Sequence, residues 1–316
     1  FQNSEGGTAV QDEKVLMAEA AVLYYEKKMT QQEIARELEL SRQTVSRLLG
    51  DAVREGIVEI RIHDPVRDRE ELGAAICSQY GIERCVVCGV SGRGEMLRRL
   101  MTVRAAAMYL APLLEAGGKK IALSWGRTVQ MLIEEMPNLK TEGNVVFPLF
   151  GATEQETAFF SSNELARSMA DKIGAGVKYA WFPYLLENSR ECEILKELSC
   201  YQTMRKLWEE ADLAVVGIGN AEVYRIFAQA FGHSQHAGKI VGDVATHFFD
   251  GSGTLVQPYA NTLCATAENI RNAKQTVAVA CGDEKVEAIA GALRTGMINV
   301  LITDEYTAGR LLDDRG

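Results

Sequence analysis

TQQEIARELELSRQTVSRLL, residues 30–49, decides how this chain is read. Thr30 is a helix-capping residue, and Glu33, three positions on, completes a capping box. Ile34 and Leu38 give that short helix a buried face. Glu39-Leu40 makes a tight turn, and Ser41 caps a further helix over RQTVSRLLGDAVREG, which Gly56 ends. Val45, Leu48 and Leu49 form its apolar stripe. Two short helices across a tight turn, the second with a polar N-terminal face, are a helix-turn-helix. That face holds Arg42, Gln43, Thr44, Ser46 and Arg47. In such motifs the start of the second helix enters the major groove of DNA, where Arg pairs with guanine and Gln with adenine. Thr30 and Gln31 complete the candidate DNA-binding set. Arg42 and Arg47 alone would read equally as a solvated helix face; the whole capped motif points to double-stranded DNA.

Working outward, DEKVLMAEAAVLYYEKK (12–28) has apolar residues at helical spacing: Val15, Ala18, Val22 and Tyr25. IVEIRI (57–62) alternates as a wing strand. The expected head is therefore an all-α winged helix-turn-helix over residues 12–62. Residues 1–11 have neither a basic region nor an apolar stretch, so they read as a tail and not a secretory signal; Phe1 and Gln2 resemble the remnant of a protease-cleavage tag. Pro65 among charges marks a linker over 63–68.

The net charge is −9, from 34 basic and 43 acidic residues. A general nucleic-acid coat or a membrane-surface protein would be basic, so DNA binding must be local. Residues 1–62 hold 8 Lys/Arg and 11 Asp/Glu, while 40–50 hold Arg42 and Arg47 and no acid. One such head binds weakly. Useful affinity needs two or more on one operator, so a homodimer or homotetramer is expected. Leu23 and Tyr24 beside the stripe of helix 12–28 are candidates for that contact.

Residues 69–316 alternate. Short apolar runs lie at 84–90, 120–124, 144–149, 177–182, 212–218, 275–281 and 298–303. Helix-period segments lie between most of them, at 93–115, 127–136, 161–173, 189–210, 221–230, 284–295 and 304–313. That pattern predicts a Rossmann-like α/β domain with a mostly parallel sheet covered on both faces. With 47% hydrophobic and 24% charged residues, disordered and fibrous classes are excluded. No apolar run reaches about 18 residues, so no membrane span is expected. Seven cysteines, an odd number scattered through apolar segments, suggest a reducing cytoplasm. Cys85 and Cys88 have CxxC spacing, but in a strand their sulfurs point to opposite faces, so no metal is expected there.

In open parallel sheets, ligands bind beyond the carboxyl ends of the strands. Four loops there are rich in small or polar residues. LSWGRT (123–128) offers Ser124, Trp125, Gly126, Arg127 and Thr128 at a helix start suited to an anion. LFGATEQE (149–156) holds Gly151, Ala152, Thr153 and Glu154. GIGN (217–220) holds Gly217 and Gly219. GDEKVEAI (282–289) puts Lys285 in the first turn of a helix, where a cation is unfavourable unless an anion binds. Each loop alone could be just a turn; together they point to an anionic small-molecule site. In VGDVATHFFDGSGTLV, Asp243 near Ala245 and Phe248 is either a local cap or an acceptor for polyol hydroxyls. GIGNAE departs from GxGxxG and no Walker sequence occurs, so no nucleotide cofactor is expected. No GxSxG nucleophile occurs, residues 145–153 contain no Lys for a Schiff base, and His233 and His236 lack a ligand cluster around them.

In order along the chain, TQQEIARELELSRQTVSRLL, GIVEIRI, LSWGRT, VGIGN, GDVATHFFD and VAVACGDEKVEAIAGALRTGMINVLITDE resemble the SorC family of bacterial sugar-responsive transcriptional regulators. The resemblance implies a winged helix-turn-helix joined to an effector domain of the sugar-phosphate isomerase/deaminase type. It implies a phosphorylated sugar or polyol as effector, and dimers or tetramers. By position, SWGRT and Lys285 would hold the phosphate, and Gly151 to Glu154, Gly219, Asp243 and Ala245 the sugar. Two turns depart from the family pattern. Gly151-Ala152 stands for Gly-Gly, and Ala280-Cys281-Gly282 for Ala-Gly-Gly; the methyl and the thiol narrow them. The competing function is a sugar-phosphate isomerase or deaminase with an accessory DNA-binding head, since the body fold hosts such enzymes.

Overall fold

A computed structural model describes residues 5–59, 69–90, 92, 94–152, 161–231 and 239–313. The chain divides into two units, Phe1–Pro65 and Val66–Gly316.

The first unit is built from α1 (Glu5–Ala21), a π-helical turn (Val22–Glu26), α2 (Gln31–Glu37) and α3 (Arg42–Arg54). Both expected caps are present. The Thr30 hydroxyl accepts the Glu33 amide at 3.3 Å while the Glu33 carboxylate accepts the Thr30 amide at 2.8 Å. Ser41 Oγ accepts the Thr44 amide at 3.0 Å. Such caps each hold a helix start by about 1 kcal/mol. Between the two helices Glu39 adopts φ +55°, which makes the turn tight. Ile34, Val45, Leu48 and Ala52 are fully buried and pack with Met17, Ala20, Ala21, Ala35 and Leu49.

Two expectations for α1 change. It begins at Glu5, inside the segment read as a tail. Its buried stripe is Met17, Ala20 and Ala21, whereas Val15 and Val22 are exposed and Leu23 packs on the head core. The π-helical turn rotates the register after Ala21, which accounts for Val22 and Leu23 but not for Val15, Met17 and Ala20 before it. Residues 57–59 form no strand, and the rest of the wing segment, with linker residues 63–68, lies outside the described residues.

The second unit opens with α4 (Glu70–Tyr80). It continues through β1 (Arg84–Cys88), α5 (Glu95–Glu115), β2 (Lys120–Leu123), α6 (Arg127–Glu135), β3 (Val145–Pro148), α7 (Ser162–Ile173) and β4 (Gly176–Val177). Then come α8 (Ser189–Glu197), α9 (Ser199–Glu209), β5 (Leu213–Gly217), β6 (Gly219–Asn220), α10 (Ala221–Phe231), β7 (Gly242–Val244), β8 (His247–Phe249) and β9 (Leu255–Val256). The chain closes with α11 (Ala267–Asn272), β10 (Gln275–Val279), α12 (Val286–Arg294), β11 (Val300–Asp304) and α13 (Glu305–Asp313).

Seven strands form a sheet in the order β1-β11-β10-β5-β2-β3-β4, every pair parallel. The central strands are buried along nearly their whole length, which explains their unbroken apolar sequences. From β2 the chain winds outward to β3 and β4; from β5 it winds the other way to β10 and β11. The order therefore reverses between β2 and β5, and crevices at such a switch point are where ligands sit. A second sheet, β6-β7-β8-β9, is antiparallel and lies next in sequence to β5.

Two segments differ from the sequence reading. VKYAWF yields only the short β4, because Asn163 takes both the amide and carbonyl of Ala180 into side-chain bonds (2.9 and 3.1 Å). The single helix expected over 189–210 is two, broken at Leu198, whose ψ of 144° is extended. Cys88 is buried with burial pushing its thiol up to about 12, so it stays protonated. No described helix is long and apolar enough to cross a membrane.

Candidate functional site

A cleft of about 610 Å³ opens at the β2/β5 switch point. Its lining brings together ten of the expected residues: Ser124, Trp125, Gly126, Arg127, Thr128, Gly217, Gly219, Asp243, Ala245 and Lys285. They reach it from loops that are distant in sequence. β2 ends at Leu123, and the Ser124 amide is fixed to the Val215 carbonyl of β5 at 3.0 Å. Gly126 takes φ +110° and ψ 166°, a conformation open essentially to glycine, and so turns the chain into α6. No side chain caps the first turn of α6. Arg127 and Thr128 of that turn line the cleft, so the positive end of the helix dipole lies at it, and helix N-termini receive anions in this way. Trp125 is nearly buried and packs edge-on against Phe150 and Phe227 (5.4 and 5.5 Å between ring centres), which fixes the floor.

Gly219 and Asp243 face each other across the β6–β7 pair. A Cβ on Gly219 would stand 2.1 Å from Asp243 Oδ1, so only glycine leaves room for that carboxylate. Asp243 accepts the Thr246 amide at 3.1 Å across a two-residue turn. Ala245 and Thr246 in that turn have φ of +48° and +72°, a left-handed pair that strains non-glycine residues by on the order of 1 kcal/mol or more each. Burial pushes the Asp243 carboxyl up to about 6, against the Thr246 amide and the Lys285 charge, which favour ionisation. Lys285 ends a short 3-10 turn (Asp283–Lys285) and stands at the N-cap of α12. Its Nζ donates to the Ile218 carbonyl at 2.9 Å. Burial lowers its pKa, and Arg99 nearby lowers it further.

Several lining residues were not read from the sequence: Glu95, Arg99, Ile218, Asn220, Glu222, Val223, Ile226 and Glu284. Arg99 matters most, because it adds a second half-buried cation; Glu95, Glu222 and Glu284 are exposed. The spacing of α5 contains Arg99, but nothing local shows which end of that helix abuts the strand ends. The remaining expected residues lie elsewhere. Gly151 and Ala152 do not line this cleft. Their amides bond the Leu263 and Phe182 carbonyls (3.0 and 2.8 Å), which stitches that loop to neighbouring backbone. Phe248 is buried among Tyr224, Phe227 and Tyr259. Thr153, Glu154, His233 and His236 lie outside the described residues. Among the described residues no three His, Cys, Asp or Glu side chains gather as a metal site.

The acid at Asp243 gives a pH prediction. Its folded-state pKa is raised, so protonated Asp243 favours the fold fully below the usual carboxyl range, and that stability is lost as pH rises through about 6. Asp243→Asn should therefore melt higher than the parent above pH 7, by roughly 2–3 kcal/mol. The gain should vanish towards pH 4, and thermal melts across pH read this directly. A gain that grows on acidification would contradict the burial argument.

In the head, Arg42, Gln43, Ser46 and Arg47 are exposed on one face of α3. Thr44 is half-buried, and its hydroxyl shares a hydrogen bond with Ser41 Oγ at 2.8 Å. Thr30, Gln31 and Arg42 line a groove of about 660 Å³ with Tyr24, Tyr25, Lys28, Met29 and Gln32. Lys28 and Tyr24 are thus neighbours of the expected set. Arg47 differs from the expectation of a free groove-facing side chain: it pairs with Glu13 at 3.2 Å and Asp51 at 3.3 Å.

A helix-turn-helix unit and a parallel α/β unit with an anion-suited cleft at its switch point together define a ligand-responsive transcriptional regulator. Comparison with known proteins agrees. Residues 64–313 match the family described as "Putative sugar-binding domain", and residues 20–69 match the MarR family. The chain is 30% identical to the Sorbitol operon regulator of Klebsiella pneumoniae, over 95% of this chain and 98% of that one. It is 28% identical to the Deoxyribonucleoside regulator of Bacillus subtilis (strain 168), over 96% and 99%. The crystal structure of the full-length Klebsiella regulator SorC superposes with a TM-score of 0.70, covering 95% of this chain and 99% of that chain. The chain belongs to the SorC family of sugar-binding transcriptional regulators. Its relatives named here are transcriptional regulators and not enzymes.

Proposed function

We propose that this regulator reads operator DNA with α3 and changes its grip when a phosphorylated sugar or polyol enters the cleft between β2 and β5. The observation that carries the reading is the uncapped start of α6 sharing one cleft with Lys285 and Arg99. A helix start and three cations, Arg99, Arg127 and Lys285, suit a phosphate, and Asp243 suits hydroxyls. The names of the relatives, a sorbitol operon regulator and a deoxyribonucleoside regulator, support a carbohydrate-derived effector. Thr153 and Glu154 remain candidates for the sugar end. The chain acts in the cytoplasm as a dimer or tetramer, because a head with only two cations and no acid over 40–50 grips one half-site weakly.

Calorimetry with phosphorylated and unphosphorylated pairs of hexoses, pentoses and polyols tests the effector. A phosphorylated member should bind and its unphosphorylated partner should bind far more weakly. Equal affinities for the two would remove the phosphate from the account. On the DNA side, Arg42→Ala and Gln43→Ala should each cost roughly 1–3 kcal/mol on the specific site and little on random DNA. Their exposure means melting should not change. Arg47→Ala also breaks pairs within the head, so it needs a melting control. Parent-like operator binding by both the Arg42 and Gln43 variants would show that α3 is not the reader.

A further inference from the structure

Arg98 and Arg99 are adjacent on α5, yet about 100° apart around the helix. Arg99 lines the cleft, while Arg98 is 5% exposed. The Arg98 guanidinium forks onto Asp304 at the end of β11, with Nε and Nη2 each 3.2 Å from a carboxylate oxygen. The same group reaches Asp283 Oδ1 at 3.2 and 3.3 Å and Thr307 Oγ1 at 3.0 Å. Thr307 Oγ1 in turn donates to Asp304 at 2.7 Å and accepts the Gly282 amide at 2.9 Å. Asp304 is fully buried and also accepts the amides of Tyr306 and Thr307 at 2.8 and 3.0 Å. Through Arg98 this cluster ties α5 to the end of β11 and the start of α13, and through Asp283 and the Gly282 amide it ties both to the Gly282–Lys285 turn; α5 carries Arg99 and the turn carries Lys285.

We propose that Arg98 is a positioning residue of the effector cleft: by joining Asp304 to Asp283 it sets the spacing between the cations Arg99 and Lys285. The inference rests on the anion reading above and adds what holds the anion site in shape. Arg99 pairs with Glu95 on its own helix, so where it stands relative to Lys285 is set by how α5 is held against the turn. A planar guanidinium fork suits such a tie, since it fixes direction as well as distance, which an ammonium does not. Walls fixed in advance spare the ligand the cost of ordering them. Arg98 touches no ligand and acts only through the turn and the helix.

Removing Arg98 outright would strand a buried carboxylate at Asp304 and could unfold the domain. Asp283 provides the cleaner probe, because its side chain is 57% exposed and Arg98 keeps Asp304 without it. Two measurements on full-length Asp283→Asn test the proposal: amide hydrogen exchange without ligand, and calorimetric titration with inorganic phosphate. Exchange over 282–286 should quicken several-fold, with the central strands and Tm unchanged. Phosphate binding should weaken by about 3–10-fold, and Asp283→Glu should restore both. Parent-like exchange over 282–286, or parent-like phosphate affinity, in Asp283→Asn overturns the positioning role. If the parent binds phosphate and Lys285→Ala does not, the anion reading survives that failure. A parent that binds neither phosphate nor any sugar phosphate sinks both.

Discussion

Lys285→Ala should weaken binding of the phosphorylated effector by about 10- to 100-fold and leave operator binding by the unliganded protein intact. The magnitude is that of one lost charge-assisted contact, about 1.5–3 kcal/mol. Three features argue for a contact in the cleft and not on the surface. Lys285 stands at the N-cap of α12, where a cation is disfavoured by the helix dipole. Burial and Arg99 lower its pKa, while the Glu284 and Asp243 carboxyls beside it favour its charge. Its Nζ is anchored to the Ile218 carbonyl, in the GIGN loop after β5, so it is aimed across the cleft. Removing such a cation should not harm folding, and melting of the unliganded variant should equal or exceed the parent's. Calorimetry with a phosphorylated ligand that the parent binds settles it. Equal affinity in Lys285→Ala would place the phosphate elsewhere.

Leu48→Ala should abolish operator binding while leaving effector binding unchanged. Leu48 is fully buried at the centre of α3, in a core that among the described residues has nine buried members and shares none with the body's core. Truncating a fully buried Leu costs about 2–5 kcal/mol. A unit of this size has on the order of 3–8 kcal/mol in total, so most of it would be spent. Scanning calorimetry should show a separate, early head transition, with the body melting as in the parent. If head and body shift together by the same amount, the two cores are not independent.

What could be read from the sequence was what is fixed locally. Capping is such a feature: Thr30, Glu33 and Ser41 act within three residues of themselves, and all three were legible. So were the parallel strands, since burial on both faces leaves an unbroken apolar run. Eight of the ten cleft residues were legible because strand-end loops rich in small residues mark one edge of a parallel sheet, and Asp243 and Ala245 because an Asp in an apolar stretch stands out. What failed depends on distant partners. Arg98 meets Asp304 206 positions away, and no spacing announces it. The small antiparallel sheet was hidden because its strands are two or three residues long, and its β7–β8 turn is Ala245-Thr246, without the Asn or Gly such a turn usually carries. The break at Leu198 has no Pro or Gly to signal it. Gly151 was read from a strand-end loop by the same argument and Phe248 from its place beside Asp243, but backbone pairing and aromatic packing keep both out of the cleft lining.

Occupancy of the β2/β5 cleft should govern the grip of α3 on DNA. Fluorescence anisotropy of a labelled cognate operator, titrated with the full chain with and without saturating phosphorylated effector, measures this directly. The apparent Kd should shift by about 5- to 150-fold, the range typical of allosteric coupling, and Lys285→Ala should show no shift at the same ligand concentration. Superimposable curves for the parent, with calorimetry showing the cleft occupied, would contradict it.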